Sequence, residues 1–275
     1  MKRKPDLPPI SEIVKKFNLL PKKALGQNFL FDLNLTSKIV RHSGELKGYD
    51  VLEIGPGPGS LTRSILETKV RKVVVIEQDK RCIQVLQELK KSYPDKLIIL
   101  TGDALRVDPK PFLKKPVKVI ANLPYNIGTE LLIRFLTPDI WPPYWDTLTL
   151  MFQSEVAQRI TAKVGSKSYG RLSIISQWRT ESTSLFRIPA KAFFPVPKVN
   201  SNLVKIKALS TPTFPAELKT LTSLVKVAFN QRRKMIRQSL KHLDTDIEKI
   251  LIECGIDPTH RAEQISLENF CLLSR

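Results

Sequence analysis

The sequence predicts an α/β protein, with a doubly wound, mostly parallel sheet and a small all-helical domain at the C-terminus. Three observations lead to this prediction. From Val51 onward, short apolar runs alternate with helical patterns, which is typical of repeated βα units. The first run ends in a glycine-rich turn, Gly55–Gly59. Beyond the proline-containing stretch Ser210–Pro215, apolar residues recur at helical spacing only.

Five apolar runs are predicted as parallel strands, because each ends in a polar or glycine-containing turn. These runs are Val51–Ile54, Val73–Ile76, Leu97–Leu100, Val117–Ala121 and Thr147–Phe152. Helical patterns precede, separate or follow them at about Asn34–His42, Lys80–Lys90, Glu130–Leu136 and in the stretch after Phe152. Two short β-like stretches within Arg187–Ala208 are predicted as a terminal antiparallel pair. We therefore expect a parallel sheet with helices on both faces.

The length of the chain limits the number of domains, and its charge indicates the class of partner. A chain of 275 residues is long enough for one large core and a small extra domain. The predicted bounds are 21–210 for the α/β domain and 211–275 for the helical one. Residues 1–20 form a basic, proline-containing extension that we expect to be partly disordered. The 45 basic and 26 acidic residues give a net charge of +19, which points to a polyanion such as nucleic acid.

Composition argues against a membrane, secreted or metal-binding protein. No apolar run approaches the roughly 18 residues that a membrane-spanning helix requires, and the N-terminus lacks the apolar region of a secretory signal. The three cysteines and three histidines do not have the spacing of metal ligands. We expect a cytoplasmic protein with no membrane partner and no metal, and nothing in the sequence demands more than a monomer.

The glycine turn and two acids predict a site for a nucleotide-like cofactor. Glycine lets a ligand approach the backbone closely, and such a turn lies where open α/β sheets bind these cofactors. Ser60 replaces the third glycine of the dinucleotide-binding pattern, which weakens a nicotinamide or flavin assignment. Glu77 is placed to accept from both hydroxyls of a ribose, and Asp103 from an adenine amino group. For both acids, a solvated carboxylate at a strand end is the alternative.

The segment Asn122–Tyr125 predicts recognition of an amino group on a flat ring. The Asn122 side-chain oxygen and the Leu123 carbonyl can accept its two N–H bonds, while Pro124 stiffens the turn and Tyr125 offers a stacking face. An adenine amino group is a poor nucleophile because its lone pair is delocalised into the ring. Acceptors for both hydrogens favour a pyramidal nitrogen and stabilise the developing charge. An ordinary turn is the alternative.

Seven segments resemble, in order, the motifs of the small-subunit ribosomal RNA adenine N6,N6-dimethyltransferases. They are LGQNFL (25–30), VLEIGPGPGSLT (51–62), VIEQD (75–79), GDAL (102–105), NLPYNI (122–127), FFPVPKVNS (193–201) and FNQRRKMIRQSL (229–240). The resemblance implies a class I, Rossmann-like domain that uses S-adenosylmethionine and releases S-adenosylhomocysteine. It also implies a product, N6,N6-dimethyladenosine at two adjacent positions near the 3′ end of small-subunit ribosomal RNA, made in a pre-assembled small ribosomal subunit.

The resemblance also implies roles for individual residues. The implied cofactor contacts are Gln27, Asn28, Leu30, Gly55, Gly57, Glu77, Asp103, Ala104 and Asn122. The implied catalytic residues are Asn122, Leu123, Pro124 and Tyr125, and Tyr125 with Phe194 would hold the target adenine between aromatic faces. Six basic residues lie in the predicted helix Lys226–Lys241. Four of these residues are predicted to contact RNA phosphates, with a solvated helix face as the alternative: Arg232, Arg233, Lys234 and Arg237.

Three other functions share some of these patterns. One is a large-subunit ribosomal RNA adenine methylase of the macrolide-resistance type, against which FFPVPKV and the basic helical tail argue. Another is a non-catalytic nucleic-acid-binding relative, like the mitochondrial transcription factors. The complete NLPY segment with Glu77 and Asp103 argues against that loss of catalysis. The third is a DNA adenine methylase.

Overall fold

The computed structural model describes residue 5 and residues 7–243 and 246–275. The chain divides into two compact units. The first comprises Met1–Leu132, Pro143–Ala157 and Thr183–Lys207, and the second comprises Ile133–Pro142, Gln158–Ser182 and Ala208–Arg275. Segments before residue 210 thus join the second unit, which differs from the predicted domain bounds. The physical reason is that Tyr169 and Trp178 share a hydrophobic core with the C-terminal helices.

Strands and α-helices alternate through most of the described chain. The strands are β1 (Phe29–Leu30), β2 (Asp50–Ile54), β3 (Lys72–Glu77), β4 (Leu97–Thr101), β5 (Val117–Ala121), β6 (Thr147–Gln153), β7 (Thr180–Ile188), β8 (Phe193–Phe194) and β9 (Ser201–Ala208). The α-helices are α1 (Ile10–Lys16), α2 (Leu33–His42), α3 (Ser60–Leu66), α4 (Lys80–Ser92), α5 (Gly128–Leu136), α6 (Ser154–Ile160), α7 (Arg171–Arg179), α8 (Leu218–Asn230), α9 (Ile236–Leu240), α10 (Ile247–Glu253) and α11 (Leu267–Leu272).

The main sheet has the strand order β4-β3-β2-β5-β6-β9-β7. Strands β2 to β6 pair in parallel, and β9 pairs antiparallel with β6. The chain order reverses between β2 and β5, and such switch points form the ligand crevice of open α/β sheets. A separate two-stranded sheet pairs β1 with β8.

The first unit is built around β2, β3 and β5, whose residues are buried almost throughout. Apolar residues, many of them β-branched, make up most of each strand, as expected for strands covered on both faces. Such burial is the main stabilising contribution, at about 1.5–3 kcal/mol for each large apolar side chain. The predicted doubly wound, mostly parallel sheet is therefore confirmed.

Two predicted features at the ends of this unit need correction. The outer strand β7 begins at Thr180, seven residues before the segment in which the terminal pair was predicted. Its exposed residues are mostly polar, as suits a sheet edge, so it lacks the apolar run of a central strand. The N-terminal extension contains helix α1, and Ile10 and Ile13 are buried.

The second unit has its own hydrophobic core, to which Trp178, Leu221 and Phe270 contribute. The predicted continuous helix Lys226–Lys241 is wrong, because α8 ends at Asn230 and α9 starts at Ile236. A turn closed by the Lys234 amide on the Gln231 carbonyl separates the two helices. The Ile236 amide then donates to the His260 carbonyl, which draws the backbone out of the helix. In the described ranges, no helix is both long and apolar enough to cross a membrane.

Candidate functional site

A cleft that is open to solvent lies at the carboxyl ends of β2, β3, β4 and β5 in the first unit. These ends meet because parallel strands point the same way, so four chain-distant turns share one space. Ten of the predicted site residues line it: Gln27, Asn28, Leu30, Gly55, Gly57, Glu77, Ala104, Asn122, Leu123 and Pro124. The structure thus brings together most of the predicted cofactor and catalytic residues.

The glycine turn is held in place from two sides. Gly57 has a φ of +55°, and a Cβ added there would lie 2.8 Å from the Phe29 ring. Its amide donates to the Glu77 carboxylate at 3.1 Å. Helix α3 then begins at Ser60, which lines the cleft. The Ser60 hydroxyl is buried and has no hydrogen-bond partner. Glycine is therefore required at 57 for both conformation and space.

Glu77 ends β3 with its carboxylate fixed by backbone donors. One oxygen accepts from the Gly57 amide, and the other accepts from the amides of Gln78 and Asp79, each at 2.8 Å. Burial raises the pKa of Glu77, and these three hydrogen bonds offset part of that rise. A carboxylate has about four acceptor positions, and three are used here, so the oxygen that accepts from Gly57 retains about one position for a hydroxyl group in the cleft.

Asn122 carries a free acceptor at the end of β5. Its Nδ2 donates to the Asn28 carbonyl at 2.7 Å, which fixes the orientation of the side-chain amide. Its Oδ1 is buried and has no hydrogen-bond partner. Because an unpaired buried acceptor costs about 1–3 kcal/mol, this oxygen is suited to a ligand donor in the cleft that the residue lines.

Glu53 is a cleft residue that the sequence did not assign to the site. It lies within β2, is almost fully buried and accepts from the Thr62 hydroxyl at 2.7 Å. Burial raises the pKa of Glu53 to about 8, the Thr62 hydrogen bond opposes that rise, and Glu77 adds to it. The signal that could have found it is an acid inside an otherwise apolar strand.

Two predicted cofactor residues have side chains engaged within the protein. The Gln27 Nε2 donates to Asp79 Oδ2 at 3.1 Å, and its Oε1 accepts from the Lys22 amide at 2.8 Å. Asp103 accepts from the Leu105 amide at 2.9 Å and is not a lining residue, although both its neighbours are. Contact of the Asp103 side chain with an adenine therefore stays a prediction.

The two predicted aromatic residues pack on other aromatic rings. Tyr125 lines a smaller hollow beside the cleft, and its hydroxyl lies 2.6 Å from that of Ser201. Its ring meets Phe193 edge to face at 6.5 Å, and burial raises its pKa. Phe194 is 44% exposed and lies 5.9 Å from the Phe31 ring. That these two rings hold an adenine between them stays a prediction.

The four predicted RNA-contacting residues belong to the second unit and differ in their surroundings. Arg232 donates to the carbonyls of Lys167 and Tyr169 at 3.0 and 2.8 Å, and Arg237 pairs with Glu248 at 3.2 Å. Arg233 and Lys234 are exposed in the turn between α8 and α9. The structure therefore gives Arg232 and Arg237 roles inside the protein.

The chemistry of this cleft suits an organic ligand with hydroxyl and amino donors. Its carboxylates, free amide oxygen and glycine backbone match a ribose and an amino group. Within residues 7–243 and 246–275, no group of three or more His, Cys, Asp or Glu side chains is arranged to hold a metal ion.

Curated relatives align with nearly the whole chain. Ribosomal RNA small subunit methyltransferase A of Roseobacter denitrificans is 54% identical over 269 residues, which cover 98% of this chain and 96% of the relative. The protein of the same name from Dinoroseobacter shibae is 55% identical, with the same coverage.

Solved structures show the same fold. The 23S ribosomal RNA methyltransferase ErmE superimposes with a TM-score of 0.69 at 25% identity, covering 90% of this chain and 98% of that one. A dimethyladenosine transferase from Plasmodium falciparum gives a TM-score of 0.73 at 24% identity, covering 89% and 95%. The family model described as ribosomal RNA adenine dimethylase matches residues 18–275. The chain therefore belongs to the ribosomal RNA adenine dimethylase family.

Proposed function

We propose that this protein transfers methyl groups from S-adenosylmethionine to the N6 amino groups of two adjacent adenosines near the 3′ end of small-subunit ribosomal RNA. The observation that carries the proposal is the buried, unpartnered Asn122 Oδ1 in a residue that lines the strand-end cleft. Family membership supports the reaction class, and the name shared by relatives that are 54–55% identical supports the small subunit as substrate.

The cleft residues fit the parts of S-adenosylmethionine. Gly55 and Gly57 of the glycine turn line the cleft and would lie beside the methionine part, and Glu77 would accept from a ribose hydroxyl. Ala104 lies at the position proposed for the adenine. When bound, the cofactor supplies a methyl group that its positive sulfur makes electrophilic. We propose no metal, since this group transfer needs none.

The catalytic work of the protein lies in orienting and activating the adenine nitrogen. Asn122 Oδ1 and the Leu123 carbonyl accept the two amino hydrogens, so the lone pair becomes localised on nitrogen. The Asn28 carbonyl, 2.7 Å from Asn122 Nδ2, keeps the oxygen rather than the amino group of that side chain available. The attacked nitrogen becomes acidic only after it is alkylated and would then release one proton to solvent in each transfer, so no strong base has to be present beforehand. Such preorganised groups stabilise the charge that develops in the transition state.

The target base has to leave its neighbours before it can react. Methyl transfer is an in-line displacement, so the nitrogen has to lie opposite the leaving sulfur at close distance. A stacked or paired base cannot enter a strand-end cleft, and the substrate adenosine is therefore single-stranded or flipped out. Tyr125, next to Pro124 of the cleft, offers the aromatic face for it, and a pre-assembled small subunit presents the RNA.

A second candidate function is methylation of large-subunit RNA. The observation that favours it is the fold shared with the 23S ribosomal RNA methyltransferase ErmE at 25% identity. The 54–55% identity to small-subunit enzymes outweighs it. The domain bounds 21–210 and 211–275, the monomeric state and the cytoplasmic location stay predictions from the sequence.

Methyl-labelled S-adenosylmethionine, supplied with undermethylated small subunits or with unmethylated large subunits, distinguishes the two. We expect label in small-subunit RNA and primer-extension stops at two adjacent adenosines near its 3′ end. Stops in large-subunit RNA would favour the second candidate. The labelled product from a mixture of RNA and DNA substrates can also be digested with either nuclease. Label that is released by deoxyribonuclease and not by ribonuclease would favour a DNA methylase. A protein that binds these RNAs without transferring any label would be a non-catalytic relative.

A further inference from the structure

The residues next to the glycine turn form a strap, defined as residues 22–31, which supplies one wall of the cleft. Three contacts hold the strap against other strand-end turns. The Asn28 carbonyl accepts from Asn122, Gln27 donates to Asp79, and the Phe29 ring lies 2.8 Å from the position that a Cβ of Gly57 would take. The position of the strap therefore determines the shape of the cleft.

Behind Phe29 lies a small hydrophobic cluster that is separate from the main core. Its buried members are Ile13, Leu19, Phe29, Cys82 and Val85, with Val14, Phe17 and Phe31 packed against them. Four of these eight residues come from residues 7–20, which we call the N-terminal segment. Phe29 thus shares this cluster with the N-terminal segment. The ring of Phe29 also lies beside Gly57.

Polar contacts fasten the N-terminal segment to α3 and α4. The buried Arg63 of α3 donates to the Pro8 carbonyl at 2.6 Å. Arg81 of α4 donates to the Asn18 carbonyl at 3.3 Å and also pairs with Asp79 at 2.7 Å. Since Asp79 accepts from Gln27 of the strap as well, a continuous chain of hydrogen bonds joins the segment to the strap. This pairing with Arg81 lowers the pKa of Asp79 to about 2, so the acceptor is ionised at neutral pH.

We propose that the N-terminal segment is a brace that keeps the strap closed along the cofactor cleft, with Leu19 as its main positioning residue. This inference rests on the function proposed above, because it assigns the cleft to S-adenosylmethionine. Leu19 is 1% exposed and packs in the cluster with Phe29. When its side chain is lost, Phe29 can move away from Gly57, and the strap then leaves the conformation that binds the cofactor. When only a fraction of the molecules is closed, the apparent affinity for the cofactor equals the intrinsic affinity multiplied by that fraction.

The test compares Leu19→Ala with Leu20→Ala, because these neighbouring leucines are 1% and 63% exposed. Binding of S-adenosylhomocysteine to the full chain is measured by titration calorimetry, at a temperature where circular dichroism shows every variant folded. If the strap of Leu19→Ala is closed in about one molecule in ten, the affinity falls about ten-fold. We expect Leu20→Ala to bind as the wild type does.

A third variant, Leu46→Ala, separates a local effect from general destabilisation. Leu46 is buried in the main core of the same unit and lies outside the small cluster. We expect a lower midpoint of thermal unfolding with unchanged S-adenosylhomocysteine affinity. If Leu19→Ala does not fold, Leu19→Val makes a smaller cavity and is expected to weaken binding in the same direction.

Two results would overturn the brace. One is wild-type affinity in the folded Leu19 variant, and the other is an equal loss of affinity in Leu46→Ala. A wild-type protein that does not bind S-adenosylhomocysteine would instead contradict the proposed function itself. A further readout is the dependence of rate on cofactor concentration. The brace predicts a raised KM for S-adenosylmethionine in Leu19→Ala, with kcat close to wild type at saturation.

Discussion

Asn122 combines a fixed amide group with a free oxygen, and this combination defines its expected role. Because Oδ1 has no partner in the protein, Asn122→Ala removes an acceptor that strengthens as the adenine nitrogen becomes pyramidal. We expect the single-turnover rate at saturating cofactor to fall about 10²–10³-fold, as for loss of one preorganised group. Rapid-quench measurement of methyl transfer to small subunits checks this. An unchanged single-turnover rate would remove Asn122 from the chemical step.

Glu53 makes stability depend on pH in a direction that can be calculated. Burial raises its pKa from 4.5 to about 8, so between these values the folded protein holds a proton that the unfolded chain releases. Raising the pH through this window therefore disfavours the folded state. Glu53→Gln keeps an acceptor for Thr62 but does not ionise, so its stability relative to wild type should rise with pH.

Urea unfolding of both proteins at several pH values from 5 to 8 measures this difference. We expect the free energy of unfolding of Glu53→Gln, minus that of wild type, to increase by about 2–4 kcal/mol across the window. Titrating groups that do not interact with Glu53 contribute equally to both proteins and cancel in the subtraction, whereas Glu77, which raises the pKa of Glu53, does not cancel. A difference that stays constant with pH would mean that the Glu53 carboxyl titrates normally in the folded protein.

At the scale of elements, the basic residues in and next to the turn between α8 and α9 differ in their contacts. Arg232 and Arg237 are bonded within the protein, whereas Arg233 and Lys234 are exposed. Replacing Arg233 and Lys234 together by Gln should reduce the slope of log affinity against log salt for small-subunit binding by about 0.7–0.9 per lost phosphate contact. Filter binding at several salt concentrations measures the slope.

A matched pair of charges controls for the loss of net charge. Lys219→Gln with Lys249→Gln removes two positive charges from outside the turn, one in α8 and one in α10, and should leave the slope closer to wild type. We expect Arg232→Gln to act differently, by lowering the thermal stability of the protein, because the Lys167 and Tyr169 carbonyls lose their donor. An unchanged slope in the Arg233 and Lys234 variant would show that these charges face solvent in the complex.

An element could be predicted when the residues within it determine its conformation, and could not when contacts with distant residues do. Strands β2 to β6 were predicted to within one residue at each end because each is a mainly apolar run between turns. The break after Asn230 was not predicted, because basic residues fit a solvated helix and a turn equally well. The hydrogen bond from the Ile236 amide to the His260 carbonyl, which links distant parts of the chain, favours the turn. Helix α1 was missed because its stability comes from distant packing on the α4 side chains.

For the candidate site, the sequence predicted which residues meet, and ten of them line one cleft. Their individual roles stay predictions. Many cleft residues lie at or just after the ends of β2, β3, β4 and β5, so topology brings these turns together. The cleft residues 25–30 come from before β2, and topology alone does not place them. Contacts within the site could not be predicted, such as those of Gln27 with Asp79 and of Asn28 with Asn122. They depend on side-chain positions that sequence spacing does not determine. Glu53 was left out for a similar reason, since its role depends on burial.

At the scale of the whole molecule, the net charge of +19 exceeds what binding a small cofactor requires. Such a field attracts a polyanion from a distance and makes association strongly dependent on ionic strength. A cleft shaped for a nucleoside cofactor and a strongly basic chain together suit an enzyme that modifies structured RNA. The reaction product is therefore the property that separates this function from its alternatives.

Mass spectrometry of nucleosides from undermethylated small subunits, after reaction with the protein and S-adenosylmethionine, identifies that product. We expect N6,N6-dimethyladenosine to accumulate toward two residues per subunit, and Asn122→Ala to suppress it. Reaction products that contain only N6-methyladenosine, or no methylated adenosine in RNA from any assembly state of the small subunit, would contradict the assignment.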